Sequence, residues 1–229
     1  MSEPIFILVH SPLVGALTWQ AVADDLRRKG YEAETPDLVD RDNLAMPYWQ
    51  QEVSSIALPA SDCILVGHSG AGALLPAIAT AENVIGSIYV DAVLLFAQAS
   101  RLDLLRAEDK DIARLFEGWL NQDGRFPNWT DGHLASTIAD DELRRALLAD
   151  LRPRSKRFFT EPIAPPADWE QKPCAYIQLS STYAIYANRA EARGWYVRRH
   201  DSHHFAMLTE PAIIADLLLE AKAHLPGQE

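Results

Sequence analysis

Ile64-Leu65-Val66-Gly67-His68-Ser69-Gly70-Ala71-Gly72-Ala73-Leu74-Leu75 is the stretch on which the fold turns. Cys63–Val66 is a short, unbroken apolar run, as expected of a strand covered on both faces. The small residues from Gly70 onward predict a helix reaching Ala81. Between them a serine stands at a strand-to-helix turn. Such a turn forces its central residue into a strained conformation that lifts the side chain above the sheet, and it tolerates only small neighbours. Gly67, Gly70, Ala71 and Gly72 meet that demand, although the motif more often has glycine where Ala71 stands. Ser69 is therefore the candidate nucleophile. The backbone N–H of Gly70, at a helix N-terminus, is the candidate donor to a developing negative charge.

The flanking sequence alternates in the same way. IFILV (Ile5–Val9) predicts a strand, and Trp19, Val22, Ala23 and Leu26 a helix stopped by Gly30. A second strand is expected from Tyr31 to the turn at Pro36 and Asp37, a helix over Pro47–Leu58, and a strand over Val84–Val90. This βαβαβαβ order implies an α/β fold with a mostly parallel sheet and helices on both faces. From Ala92 to Trp169 no strand is evident. Two amphipathic helices are expected there, RLDLLRAEDKDIARLFEGWL (101–120) and DDELRRALLADLR (140–152), separated by the turn-rich NQDGRFPNWTDG. The pattern then resumes with CAYIQL as a strand, TYAIYANRAEARG as a helix, WYVRR as a strand and PAIIADLLLEAKAHL as a closing helix. The expected organisation is a core of residues 1–91 and 170–229 with a helical cap, 92–169, inserted into one structural domain.

The 229 residues suffice for one sizeable core. A net charge of −11, from 21 basic and 32 acidic side chains, disfavours nucleic-acid binding. No apolar run approaches the ~20 residues that span a bilayer. The opening MSEPIFILVH has no basic flank followed by a long apolar stretch, so no secretory signal is expected and the cytoplasm is the simplest location. Cys63 and Cys174 read as buried reduced thiols, and no ligand spacing suggests a metal. The expected partner is a small molecule, with no cofactor; a homodimer stays open.

A nucleophilic serine needs a base. DSHHFAMLTEP (201–211) lies between the last strand and the last helix, where a C-terminal base would arrive. The chain resembles the α/β-hydrolase superfamily, especially the small plant-esterase and hydroxynitrile-lyase branch and its bacterial relatives. In that branch the catalytic histidine directly precedes an x-A-M-L stretch. Here that stretch is Phe205-Ala206-Met207-Leu208, so the resemblance assigns the role to His204, with His203 a loop neighbour. ILVH (7–10), YVDAVLL (89–95) and FFTEP (158–162) resemble the same branch.

Two departures stand out. Most members carry the triad acid after the strand corresponding to Cys174–Leu179, where this chain has Ser180-Ser181-Thr182-Tyr183. The alternative position, after the strand that follows the helix beyond Ser69, holds Asp91, which becomes the candidate acid. A dyad assisted by Ser180, Ser181 or water, and Asp201, are the alternatives. The second oxyanion donor normally comes from a His-Gly-x loop after the first strand. Here the loop is His10-Ser11-Pro12-Leu13, and proline has no N–H. Leu13 or the Ser11 hydroxyl could take its place, and Ser11, Pro12 and His68 are candidate substrate-binding residues. The resemblance implies a serine hydrolase acting on an ester, thioester or lactone. The alternatives are a lyase or cyclase that moves protons without an acyl-enzyme, and a non-catalytic ligand-binding protein. Trp119, Phe126, Trp129, Phe158 and Phe159 in the cap suggest a partly apolar substrate.

Overall fold

The computed structural model describes residues 3–40 and 45–225. Its elements, in chain order, are β1 (Ile5–Val9), α1 (Leu17–Arg28), β2 (Ala33–Glu34), α2 (Tyr48–Ser54), β3 (Cys63–His68), α3 (Leu75–Ile78), β4 (Val84–Val90), α4 (Arg101–Glu108), α5 (Lys110–Leu120), α6 (Asp131–Leu134), α7 (Asp141–Ala149), α8 (Lys156–Thr160), β5 (Cys174–Gln178), α9 (Ala184–Glu191), β6 (Tyr196–Arg199), α10 (Ala206–Thr209) and α11 (Pro211–Ala223). The sheet runs β2-β1-β3-β4-β5-β6, with every pairing parallel.

The apolar runs explain the layering. β1 and β3 are buried at every residue, whereas edge strand β6 is half open. Alternate residues feed two cores. Phe6, Leu8, Ile64 and Val66 pack with Trp19, Ile214 and Leu218 on one face. Ile7, Val9, Leu65 and Tyr176 pack with Leu74, Leu75 and Ala187 on the other. A third cluster unites Leu102, Ala113, Leu120, Phe158 and Phe159 in the segment between β4 and β5. That segment, residues 92–169, contributes five helices and no strand of the sheet.

Several elements differ from the sequence pattern, each for a local reason. The second strand does not begin at Tyr31, because its N–H caps α1 by donating to the Leu26 carbonyl, and only Ala33–Glu34 pair with β1. The expected 70–81 helix is a 3₁₀ turn over Ser69–Ala73 followed by the four-residue α3, in which Pro76 lacks an N–H to donate back. The 101–120 helix is two. Asp109 leaves helical geometry (φ −146°, ψ 109°) and caps α5 by accepting from the N–H groups of Asp111 and Ile112. Besides α7, the insertion also carries the short helices α6 and α8.

The strand order positions the site. From β1 the chain moves outward to β2, then crosses back to β3 and continues the other way. The reversal leaves a crevice at the C-terminal ends of β1 and β3, where ligands of open parallel sheets bind.

Candidate active site

Ser69 follows β3 with φ +57°, in the left-handed region that side chains rarely adopt. The surrounding packing enforces this turn. A Cβ on Gly72 would lie 2.1 Å from the Val93 carbonyl oxygen, so only glycine lets the turn approach the end of β4 so closely. The Ser69 carbonyl accepts from the Val93 N–H at 3.1 Å, fastening the two strand ends together. Asp91, just past β4, also has positive φ, +43°. Two non-glycine residues in this region, side by side, mark strain that the packing sustains, at about 1–3 kcal/mol each.

The predicted residues meet. Ser69 Oγ–H donates to His204 Nε2 at 3.0 Å, and His204 Nδ1–H donates to Asp91 Oδ2 at 2.8 Å. Asp91 is fully buried. Its Oδ1 accepts from the backbone N–H of Leu179 and of Ser180, and its Oδ2 also accepts from the Ser180 hydroxyl at 2.6 Å. Burial alone would push this carboxyl up; the hydrogen bonds from His204 and Ser180, with the His204 charge, outweigh it and hold the carboxyl below its ordinary value. Ser180 stands where most relatives would carry the acid, and here it supports Asp91. A hydroxyl donating to an imidazole that is itself oriented by a buried carboxylate can pass its proton to the ring when the oxygen attacks a carbonyl. Asp201 also borders the site, but His204 Nδ1 is directed at Asp91.

His68 lies beneath His204, ring centroids 4.4 Å apart, and its Nε2 donates to the His204 carbonyl at 2.9 Å. Expected as a substrate contact, it is fully buried yet borders the cavity beside His204, and it ties the His204 loop to the turn at Ser69. Burial holds its ring well below the ordinary value, with the neighbouring His204 adding to the effect, so it stays neutral. His203 stands aside: its Nδ1 accepts from the Phe205 N–H and its Nε2 meets the Thr209 hydroxyl.

The loop after β1 packs against Gly70. A Cβ on Gly70 would meet Ser11 Oγ at 3.4 Å and the Pro12 ring at 3.5 Å. Ser11 is buried and accepts a long 3.4 Å contact from the Leu13 N–H. Leu13 is thus directed at Ser11, whose own proton has no acceptor among the described residues. The loop is fixed from the far end of the insertion. Arg154 donates twice to the Pro12 carbonyl, the Arg152 N–H donates to the Leu13 carbonyl, and the Gly15 N–H donates to Asp150.

Tyr183 is the residue the sequence reading missed. Its phenol lies 3.3 Å from Ser69 Oγ, and its ring stacks on His204 at 4.8 Å and 5°. Burial pushes its hydroxyl above the ordinary value, so it remains a donor. The only signal was its place just after the strand end that lacks a carboxylate.

Two cavities open at Ser69. One, of about 550 Å³, includes Ser11, His68 and His204; the other, of about 370 Å³, includes Pro12, Gly70 and Phe158. Of the five aromatics singled out within residues 92–169, Phe126 lines both, Phe158 and Phe159 line the second and Trp129 the first. Trp119 instead packs on Phe116. Among the described residues no group of three or more His, Cys, Asp or Glu is arranged to hold a metal ion.

The alpha/beta hydrolase family matches residues 6–217, nearly the whole chain. The chain belongs to this family. Solved structures agree with this α/β-hydrolase fold. An extracellular alpha/beta-hydrolase from a Paenibacillus species, described as sharing structural and functional homology with tobacco salicylic acid binding protein 2, is 19% identical, with a TM-score of 0.77 over 96% of this chain and 99% of its own. Tomato methylketone synthase I is 17% identical, with a TM-score of 0.75 over 97% and 99%. A methylesterase from Arabidopsis is 18% identical, with a TM-score of 0.68 over 97% and 100%. At these identities the likeness is one of fold, and it matches the resemblance to plant esterases read from the sequence. No curated protein sequence is similar enough to count as a relative. Within the described residues, no helix of this hydrolase-family chain is long and apolar enough to cross a membrane.

Proposed function

We propose that this protein hydrolyses carboxylic esters through an acyl-enzyme on Ser69. Ser69 Oγ attacks the ester carbonyl carbon while His204 Nε2 takes its proton, and the carbonyl π electrons move onto oxygen. The Gly70 N–H and the Ser11 hydroxyl receive that oxyanion. The intermediate collapses, the bond to the alcohol oxygen breaks, and His204 returns the proton to that oxygen. A water, deprotonated by His204, repeats the sequence on the acyl-enzyme and releases the acid. Asp91 keeps the proton on His204 Nδ1 and stabilises the imidazolium. The 92–169 insertion walls the substrate chambers as a cap.

The observation that carries this reading is the unbroken Ser69–His204–Asp91 chain at 3.0 and 2.8 Å. Some of the similar structures are esterases by name, a methylesterase and polyneuridine aldehyde esterase. An ester suits the site better than a coenzyme A thioester, because none of the described residues lining the cavity beside His204 is a lysine or arginine to meet phosphates.

Pro12 favours a second reading, a lyase or cyclase in which His204 moves a proton and Ser11 and Ser69 hold a hydroxyl or carbonyl. Acid-quenched intact mass during turnover of a p-nitrophenyl ester separates the two. The ester reading expects a population heavier by the acyl group, mapped to Ser69. Turnover with no acyl-protein at any time, in wild type and in a variant with slowed deacylation, would favour the second.

A further inference from the structure

The two cavities differ in chemistry as well as position, and the triad orders them. His204 must return its proton to the departing alcohol oxygen, so that oxygen lies on the His204 side of the tetrahedral carbon, while the oxyanion lies on the Gly70 side. The 550 Å³ cavity contains His204 and Ser11 and not Gly70; the 370 Å³ cavity contains Gly70 and not His204, so the two proposed oxyanion donors stand at the boundary between them. The first, which holds His204, therefore faces the alcohol, and the second, the space left, the acyl group.

The acyl side is lined by Leu104, Leu105, Ile112, Phe116, Phe158 and Phe159. Its two charged residues have partners elsewhere: Arg101 donates to Glu52 and lies over the Phe158 ring at 3.8 Å, and Glu108 accepts from the Tyr186 hydroxyl. The alcohol side is mixed: Val14, Trp129, Leu134 and Phe205 share its walls with a set of hydroxyls. Ser180 and Ser202 spend their hydroxyls on Asp91 and Glu210. The hydroxyls of Thr137 and Ser181 line it alone and that of Thr182 lines both chambers; none of the three has a partner among the described residues. Asp201 adds an acceptor, and none of the described residues facing the space is a lysine or arginine. A chamber this large, with several uncommitted hydroxyls and no lysine or arginine among its described residues, matches a neutral polyhydroxy alcohol and is oversized for methanol.

Resting on the ester reading above, we infer that the substrate joins an apolar acyl group, held by the chamber beside Gly70, to a neutral polyol of glycerol or sugar type, held by the chamber beside His204.

The test compares glyceryl monohexanoate, methyl hexanoate and glyceryl monoacetate on wild type and three variants. The glyceryl-to-methyl ratio of kcat/KM for hexanoates is expected to exceed roughly tenfold in wild type, the scale of a lost hydroxyl contact or two. It falls in Thr137→Phe, which fills the chamber, and in Thr137→Val, which keeps its size and removes only the hydroxyl. Ile112→Trp leaves that ratio in place and lowers the hexanoate-to-acetate ratio instead. A glyceryl-to-methyl ratio near one, or variants whose effects fall on the opposite ratios, overturns the inference. Hydrolysis of p-nitrophenyl acetate with an acyl adduct on Ser69, run in parallel, distinguishes the two failures. With the adduct present and no polyol preference, only the substrate assignment falls; without the adduct, the ester reading falls and takes the assignment with it.

Discussion

The two ends of the site are built differently. At the proposed proton relay the side-chain polar atoms of Ser69, His204 and Asp91 are all partnered: Asp91 accepts two backbone N–H groups, a serine hydroxyl and His204, and His204 bridges to Ser69. On the oxyanion side one position is a proline, and the nearest hydroxyl, Ser11, is held only by a 3.4 Å contact from Leu13. Ser69 and Asp91 follow directly on β3 and β4, which the backbone ladder sets, and His204 comes from the loop between β6 and α10, tied to the end of β3 by His68. The oxyanion loop is set by side chains reaching from the insertion, Asp150 and Arg154 among them. Strand ends and the loop beside them thus position the proposed proton relay, whereas side chains from the segment between β4 and β5 position the loop proposed to meet the oxyanion.

The sharpest way to break that comparison is Asp91→Asn. An amide cannot accept from both His204 Nδ1–H and the Ser180 hydroxyl while its oxygen serves two backbone donors, so the imidazole takes the wrong tautomer. We expect kcat to fall about 10⁴-fold with the fold retained by circular dichroism. A loss of less than tenfold would show that Ser180 or Asp201 sustains the base.

Ser11→Ala comes next. If its hydroxyl is the second donor, kcat for ester hydrolysis drops by about 10²-fold, with a smaller change in KM. An unchanged kcat would leave Gly70 as the lone donor and deepen the asymmetry between the two ends.

Tyr183→Phe is expected to cost about three- to tenfold in kcat/KM, the range of one ordinary hydrogen bond. The ring stacked on His204 is retained in that variant; Tyr183→Leu, which removes the ring as well, should cost more in kcat/KM.

The smallest effect concerns the acyl chamber. Burial pushes Glu108 up to about 7, with Arg189 opposing. Arg101, Tyr183 and Tyr186 also face this region. Because the shift is upward, Glu108 is neutral below that value and ionised above it. KM for a hexanoate ester should therefore rise a few-fold between about pH 6 and about pH 8 as charge enters an apolar chamber. Glu108→Gln should flatten this rise.

Much of this was legible in the sequence, and the reason is locality. The apolar run before Gly67, the small residues after Ser69 and the x-A-M-L stretch after His204 carry their meaning within about ten residues, and their strands bring them together. The place of Asp91 beside His204 was legible by the same logic, as the residue just past β4. Tyr183 was not, because its contact with Ser69 joins positions 114 residues apart across two strand ends, and nothing in STY distinguishes a packed tyrosine from one beside the nucleophile. The support of the 11–15 loop by residues 150–154 was hidden for the same reason. The break at Asp109 was readable in principle, since aspartate is a strong N-cap, but an unbroken amphipathic pattern masked it.

The central claim, that Ser69 is an activated nucleophile in an accessible site, is tested most directly by intact mass after treatment with a fluorophosphonate, beside a Ser69→Ala control. The account predicts a single adduct on wild type and none on the control. Folded wild-type protein that takes up no adduct, or a control labelled equally well, would contradict it.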